Sequence, residues 1–254
     1  MVIHTEGRPG DPAVVLLHPM LVSGRQMIEL LGRKLPGSFF LIAPDQGGHG
    51  EERSDFVSPA QEAAELHRFL AERGIREIRL LFAASMGGTT AMELMKLGGL
   101  HFHAVYLDGV PLAQQNGLPA LFLSSVLLRA RKKAVKDPAA VTGMLTKLYG
   151  GELGRSMTEQ LAGMSRLSVR RIGKACVSGC AVPLTAGQVE RLTFEWGEKE
   201  INLRRGKPLA ERLYPEARIL VREGLGHCEH LGREPEAYAR ELGPELAPAP
   251  DGPA

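Results

Sequence analysis

Residues 79–95 read RLLFAASMGGTTAMELM: an apolar run ends at Ala83, a serine stands at position 85, and a helix-like pattern starts at once. A serine at a strand-to-helix corner presents its hydroxyl above the sheet, where it can act as a nucleophile. Such a corner needs small residues two before and two after the serine, and Ala83, Gly87 and Gly88 answer that need. Packing alone also favours small residues there, because they let a helix lie close to a sheet. A serine hydroxyl is a weak nucleophile at neutral pH and requires a base. The stretch REGLGHCEHL offers His227, just after the last strand-like run in a loop with Gly224 and Gly226. His230 competes, but it falls inside the helix that follows.

The imidazole needs a carboxylate to fix its tautomer and stabilise its charged form. Two stand at strand ends, Glu200 in WGEKEINL and Asp108 in AVYLDG. Each has an ordinary role open to it, a surface salt bridge for Glu200 and turn capping beside Gly109 for Asp108. Negative charge developing on an attacked carbonyl oxygen needs preorganised N–H donors. The backbone N–H of Met86, at the start of a helix, is one, and that of Met20, after VVLLH, is the second. Pro19 has no N–H to give.

Elements able to hold these residues recur along the chain. Apolar, β-rich runs lie at 13–18, 39–44, 78–83, 104–109, 191–196 and 217–223, as expected of strands buried on both faces of a mainly parallel sheet. Helical periodicity fills 24–35, 59–74, 89–99 and 235–246. The alternation predicts a three-layer α/β fold whose site sits at the carboxyl ends of the strands. It breaks once, between LDGVPL and RLTFEW, where about eighty residues carry helical patterns and no convincing strand. The expected organisation is a core over 1–111, a helical insertion over 112–186, the rest of the core over 187–246, and a disordered Pro- and Ala-rich tail over 247–254.

With 254 residues, 44% of them hydrophobic, the chain is long enough for one large α/β domain. Its net charge of +2 gives no argument for nucleic acid. The basic run RARKKAVK (129–136) is read as a solvated helix face, with an anionic substrate or membrane surface as the other reading. No apolar run is long enough for a membrane span, and the N-terminus lacks the pattern of a signal peptide. Together with three cysteines that cannot all pair, this points to a reducing cytoplasm. Cys176 and Cys180 are read as small buried residues one helical turn apart rather than metal ligands. Cys228, beside His227, either influences the base or simply packs.

The chain resembles the α/β-hydrolase-fold superfamily over nearly its whole length, in VVLLHPM, FFLIAPDQGGHGEE, LLFAASMGGTTAMELM, LTFEWGEKE and ILVREGLGHCEHL. The resemblance implies a central, mainly parallel sheet with a helical cap over about 112–186. It implies Ser85 as nucleophile, His227 as base, and an oxyanion hole at Met20 and Met86. His49 is then a structural loop residue. HPM stands where the family usually has His-Gly-x, Ala83 replaces a glycine, and Glu200 stands where most relatives have aspartate. Glu200 is preferred as the acid, and some members place the acid where Asp108 lies. The expected activity is that of a serine hydrolase, a carboxylesterase acting on a small ester, thioester or related acyl compound. The same triad serves carbon–carbon hydrolysis, a cofactor-free lyase or acyl transfer, and a weakly active binding protein is the non-enzymatic alternative. No metal or organic cofactor is expected. The expected partner is a small-molecule substrate, and a homodimer is left open.

Overall fold

The computed structural model describes residues 1–115 and 118–246. The tail expected at 247–254 lies outside the described residues. Eight strands form one sheet: β1 (Val2–Glu6), β2 (Ala13–Leu17), β3 (Phe40–Asp45), β4 (Glu77–Ala84), β5 (His101–Phe102), β6 (Val105–Asp108), β7 (Leu192–Gly197) and β8 (Arg218–Arg222). Their order is β1-β3-β2-β4-β6-β7-β8, with the two-residue β5 pairing β4 off this path. Only β1 runs antiparallel, against β3; the other pairings are parallel. All six of the apolar runs are strands, with bounds shifted by one or two residues. β2, β3, β6 and β7 are buried along their full length, as continuous apolar runs in a covered sheet require.

Alternate strand residues feed two cores. Val14, Leu16, Leu80 and Phe82 face one, while Val15, Leu17, Leu81 and Ala83 face the other. Helix α1 (Gly24–Leu30) starts in a capping box made by Ser23 and Gln26, and a 3₁₀ turn (Gly32–Lys34) completes the segment expected as one helix. Ser58 caps α2 (Pro59–Glu72), and α3 (Met86–Leu97) begins directly after Ser85.

Between β6 and β7 lie α4 (Leu118–Lys136), α5 (Pro138–Tyr149), α6 (Gly151–Gly163) and α7 (Arg166–Ser178), followed by the short α8 (Ala186–Val189). Asp137 and Ser165 cap α5 and α7. Helix α7 ends before Cys180, because Gly179 turns the chain with φ +72°. Cys176 and Cys180 therefore do not share a helix, which corrects that part of the expectation; both are free thiols. After β7 come α9 (Ile201–Leu213) and, beyond β8, α10 (Glu229–Arg233), α11 (Pro235–Glu241) and α12 (Gly243–Leu246). Among the described residues no helix is long and apolar enough to cross a membrane.

Candidate active site

Ser85 occupies the corner between β4 and α3 with φ 49° and ψ −112°, a conformation that side-chain-bearing residues rarely adopt. Three contacts hold it there. The Ser85 N–H donates to the Asp108 carbonyl at 2.7 Å, tying the corner to β6. Gly87 lies so close to β2 that a Cβ on it would stand 2.5 Å from the Leu17 carbonyl oxygen. A Cβ on Gly88 would meet Val110 at 2.7 Å. Ala83, the departure from glycine, is fully buried in the sheet and accommodated. No side chain caps α3, so the N–H groups of its first turn, Met86 among them, stay uncapped by a side chain at its positive end.

His227 lies in the loop between β8 and α10, and its Nε2 is 2.7 Å from Ser85 Oγ. Its Nδ1 is 2.8 Å from Glu200 Oε2. Glu200 precedes α9 in the loop after β7, is 4% exposed, and its other oxygen accepts the Gly197 N–H at 2.8 Å. One carboxylate, one imidazole and one hydroxyl thus form a continuous line. The ring needs room: a Cβ on Gly109 would sit 2.8 Å from it.

Asp108 takes a different place. It is buried at the end of β6, and its Oδ2 has no hydrogen-bond partner among the described residues, the imidazole included. Burial first, then repulsion from Glu195 and Glu200, holds its carboxyl well above the ordinary carboxylate range. Glu195, its register partner on β7, is compensated by Arg222 (Nε to Oε2 2.8 Å) and by the Tyr106 hydroxyl. His230 points away, with Glu241 at 3.9 Å and its ring against Tyr238. Cys228 is buried, directs its Sγ toward the Asp108 carbonyl at 3.9 Å, and has its thiol pushed up by burial.

The loop carrying Met20 is organised by buried groups. His18 Nε2 accepts the Gln46 N–H at 3.0 Å, so its proton lies on Nδ1, which donates to the Pro19 carbonyl at 2.8 Å. Burial lowers the His18 pKa to about 4 and keeps the ring neutral. The Pro19 carbonyl also accepts the Val22 N–H at 3.3 Å. In a trans peptide the carbonyl and N–H point opposite ways, so pinning the Pro19 oxygen directs the Met20 N–H to the other side. His49 is fully buried against His18, with ring centroids 4.8 Å apart and Nδ1 3.1 Å from the Gly47 carbonyl oxygen.

Ser85 and His227 open onto a cavity of about 300 Å³. Its walls come from α4 (Leu127), α5 (Val141, Leu145), α6 (Met157, Leu161) and the loop after β2 (Met20, Leu21). Met144 and Leu148, both about half exposed, stand on its lip. Among the described residues no Asp, Glu, Lys or Arg lines it. Tyr149, which sequence reasoning missed, also lines the cavity and donates to the His227 carbonyl at 3.3 Å.

The model of the alpha/beta hydrolase family matches residues 14–241, nearly the whole described chain. The chain belongs to the alpha/beta hydrolase family. Solved structures repeat this alpha/beta hydrolase fold. An alpha/beta hydrolase family protein from Desulfitobacterium hafniense is similar at 20% identity and a TM-score of 0.76, over 97% of this chain and 100% of that one. A hydrolase from Pseudomonas aeruginosa matches at 14% identity and 0.74, over 97% and 94%. A thermophilic esterase from Thermogutta terrifontis matches at 16% and 0.72, over 96% and 92%. No curated protein sequence matches. The three-layer fold expected from the strand and helix pattern is therefore that of this alpha/beta hydrolase.

Proposed function

We propose that this alpha/beta hydrolase is a serine esterase that cleaves small, uncharged carboxylic esters, thioesters or related acyl compounds through an acyl-enzyme on Ser85. The observation that carries the reading is the line Glu200–His227–Ser85, with contacts of 2.8 and 2.7 Å, ending in an apolar cavity. His227 takes the Ser85 proton as Oγ attacks the acyl carbon, and returns it to the leaving alcohol or thiol. Water then attacks the acyl-enzyme and gives a proton to His227, which passes it to Ser85 Oγ as the acyl–Oγ bond breaks and the acid is released. Glu200 is the acid: it holds Nδ1 protonated and balances the imidazolium. The N–H groups of Met86 and Met20 receive the oxyanion, each donor supplying about 3 kcal/mol. Helices α4–α6 serve as the cap, covering the acyl group with aliphatic and methionine side chains that repack around different chains. The absence of charged side chains in the lining favours neutral substrates, since an unpaired buried charge is costly.

Labelling with a fluorophosphonate, alongside turnover of short p-nitrophenyl esters, tests this directly. Both are expected in the native protein and absent from Ser85→Ala. Turnover unchanged in Ser85→Ala overturns the acyl-enzyme. A folded native protein that neither labels nor turns over any ester, yet is stabilised by one, is a binding protein.

A further inference from the structure

A second group of reactive side chains lies at the opposite end of β4 from Ser85, about 26 Å of strand away. Glu77 opens β4 and pairs in register with His101 of the short β5. The ladder continues through the His103 N–H, which donates to the Ile78 carbonyl at 2.9 Å. His101 opens β5 and His103 follows its last residue, two positions further on. Their rings stand edge to face with centroids 4.7 Å apart. His101 Nδ1 is 2.6 Å and His103 Nε2 3.1 Å from the same oxygen, Glu77 Oε2. One donor atom from each of the three residues lies within 4.8 Å of the others. The remaining nitrogen of His103 is buried and has no hydrogen-bond partner.

We propose that Glu77, His101 and His103 form a binding site for a divalent transition-metal ion of the zinc class. Two imidazoles and one carboxylate are the ligand set that such ions take, whereas magnesium and calcium seek oxygen. Zinc–nitrogen and zinc–oxygen bonds of about 2.0–2.2 Å place tetrahedral donors about 3.3 Å apart. The two nitrogen–oxygen distances lie below that value by less than 1 Å and every donor pair lies within 4.8 Å, so modest side-chain adjustments bring the three donors to bonding distance of one ion. On binding, each coordinating ring nitrogen gives up any proton it shares with Glu77, either to its other ring nitrogen or to solvent. Arg79 stands close enough to His103 for its charge to be felt there. The same cation opposes an arriving metal ion and sets a limit on affinity. Water completes the coordination on the exposed side. A bound ion would staple β5 to the start of β4.

Titration calorimetry of the whole protein with Zn²⁺, alone and in competition with Mg²⁺ and Ca²⁺, tests the proposal against the double variant His101→Ala/His103→Ala. The native protein is expected to bind one Zn²⁺ at least tenfold more tightly than the double variant, undisturbed by Mg²⁺ or Ca²⁺. Co²⁺ should develop a d–d absorption band that the double variant lacks. Ester turnover should be equal in the two proteins, since neither histidine approaches Ser85. Glu77→Gln, which keeps the hydrogen-bonding shape and removes the charge, should weaken Zn²⁺ and decides the matter if the double variant does not fold. Identical Zn²⁺ isotherms for native and substituted proteins, or no Zn²⁺ binding by the native protein, overturn the proposal.

Discussion

Replacing Glu200 by glutamine isolates the proposed acid from its competitor. Glu200 uses both oxygens: Oε1 accepts the Gly197 N–H at 2.8 Å, and Oε2 faces His227 Nδ1 at 2.8 Å. The Gly197 N–H can only donate, so in Glu200→Gln it claims the amide oxygen and turns the NH₂ toward His227. The NH₂ then donates to Nδ1, which moves the ring proton to Nε2, where it can no longer accept the proton of Ser85. A wrong-tautomer substitution of this kind lowers kcat by roughly 10³–10⁴, about 4–5.5 kcal/mol of transition-state stabilisation. The assay is kcat and kcat/KM on a p-nitrophenyl ester, with circular dichroism to establish folding. Asp108→Asn is the control: Asp108 Oδ2 has no hydrogen-bond partner and its carboxyl is already shifted upward by burial, so its amide should change kcat by less than about fivefold. Retention of more than about a tenth of kcat by Glu200→Gln, with a collapse in Asp108→Asn, would falsify this assignment.

Three further outcomes follow from other contacts. Gly87→Ala places a methyl 2.5 Å from the Leu17 carbonyl, so it should cost about 1–3 kcal/mol in denaturant unfolding and disturb esterase activity by opening the serine corner. Glu62 is buried, accepts the Gly47 N–H at 3.2 Å, and burial raises its pKa to about 7. The folded state then holds a proton that the unfolded state loses near pH 4.5, so this contribution is full below pH 4.5 and is lost as pH rises through about 7. The loss amounts to about 3 kcal/mol, and Glu62→Gln should match the native Tm at pH 4.5 and exceed it by several degrees at pH 8. Leu145→Trp fills the cavity from α5 and should shift p-nitrophenyl ester preference from hexanoate toward acetate by at least about tenfold, as the loss of several buried methylenes implies; an unchanged chain-length profile would place the acyl group elsewhere.

Much of this architecture was legible because continuous apolar runs have little alternative to a covered parallel sheet. β1 was not. Val2–Glu6 mixes charge with apolar residues on a half-exposed antiparallel edge, so it shows neither an apolar run nor clean alternation. β5 is too short for any periodicity. Helix α9 carries Gly206 and Pro208 inside a strongly basic stretch, and its hold on the core comes from tertiary packing of Gly206 against Trp196. The break between α6 and α7 lies at Met164–Ser165, where a serine cap restarts the helix inside what reads as one pattern.

Ser85 and His227 were legible because each follows a strand with glycines beside it. Choosing between Glu200 and Asp108 was not, because both end up at the same sheet edge. The distinction lies in where the chain turns: Asp108 is the buried last residue of β6, while Glu200 approaches His227 from the turn between β7 and α9. Tyr149 and the cavity lining come from helices whose placement over the sheet no local pattern encodes. The His101–His103 pair acquires Glu77 only through the β4–β5 register.

The uncharged cavity has a consequence for turnover. On the proposed reaction the ester enters neutral, but the acid released is an anion at neutral pH, and no lysine or arginine among the described lining residues answers it. Once the carboxylate leaves the N–H donors beside Ser85, leucines and methionines give it no partner, and returning to water is far less costly. Substrate and product therefore differ in their fit by charge rather than by shape. The chamber expels what it has just made, so product inhibition should be weak and should grow only as acidic conditions neutralise the released acid.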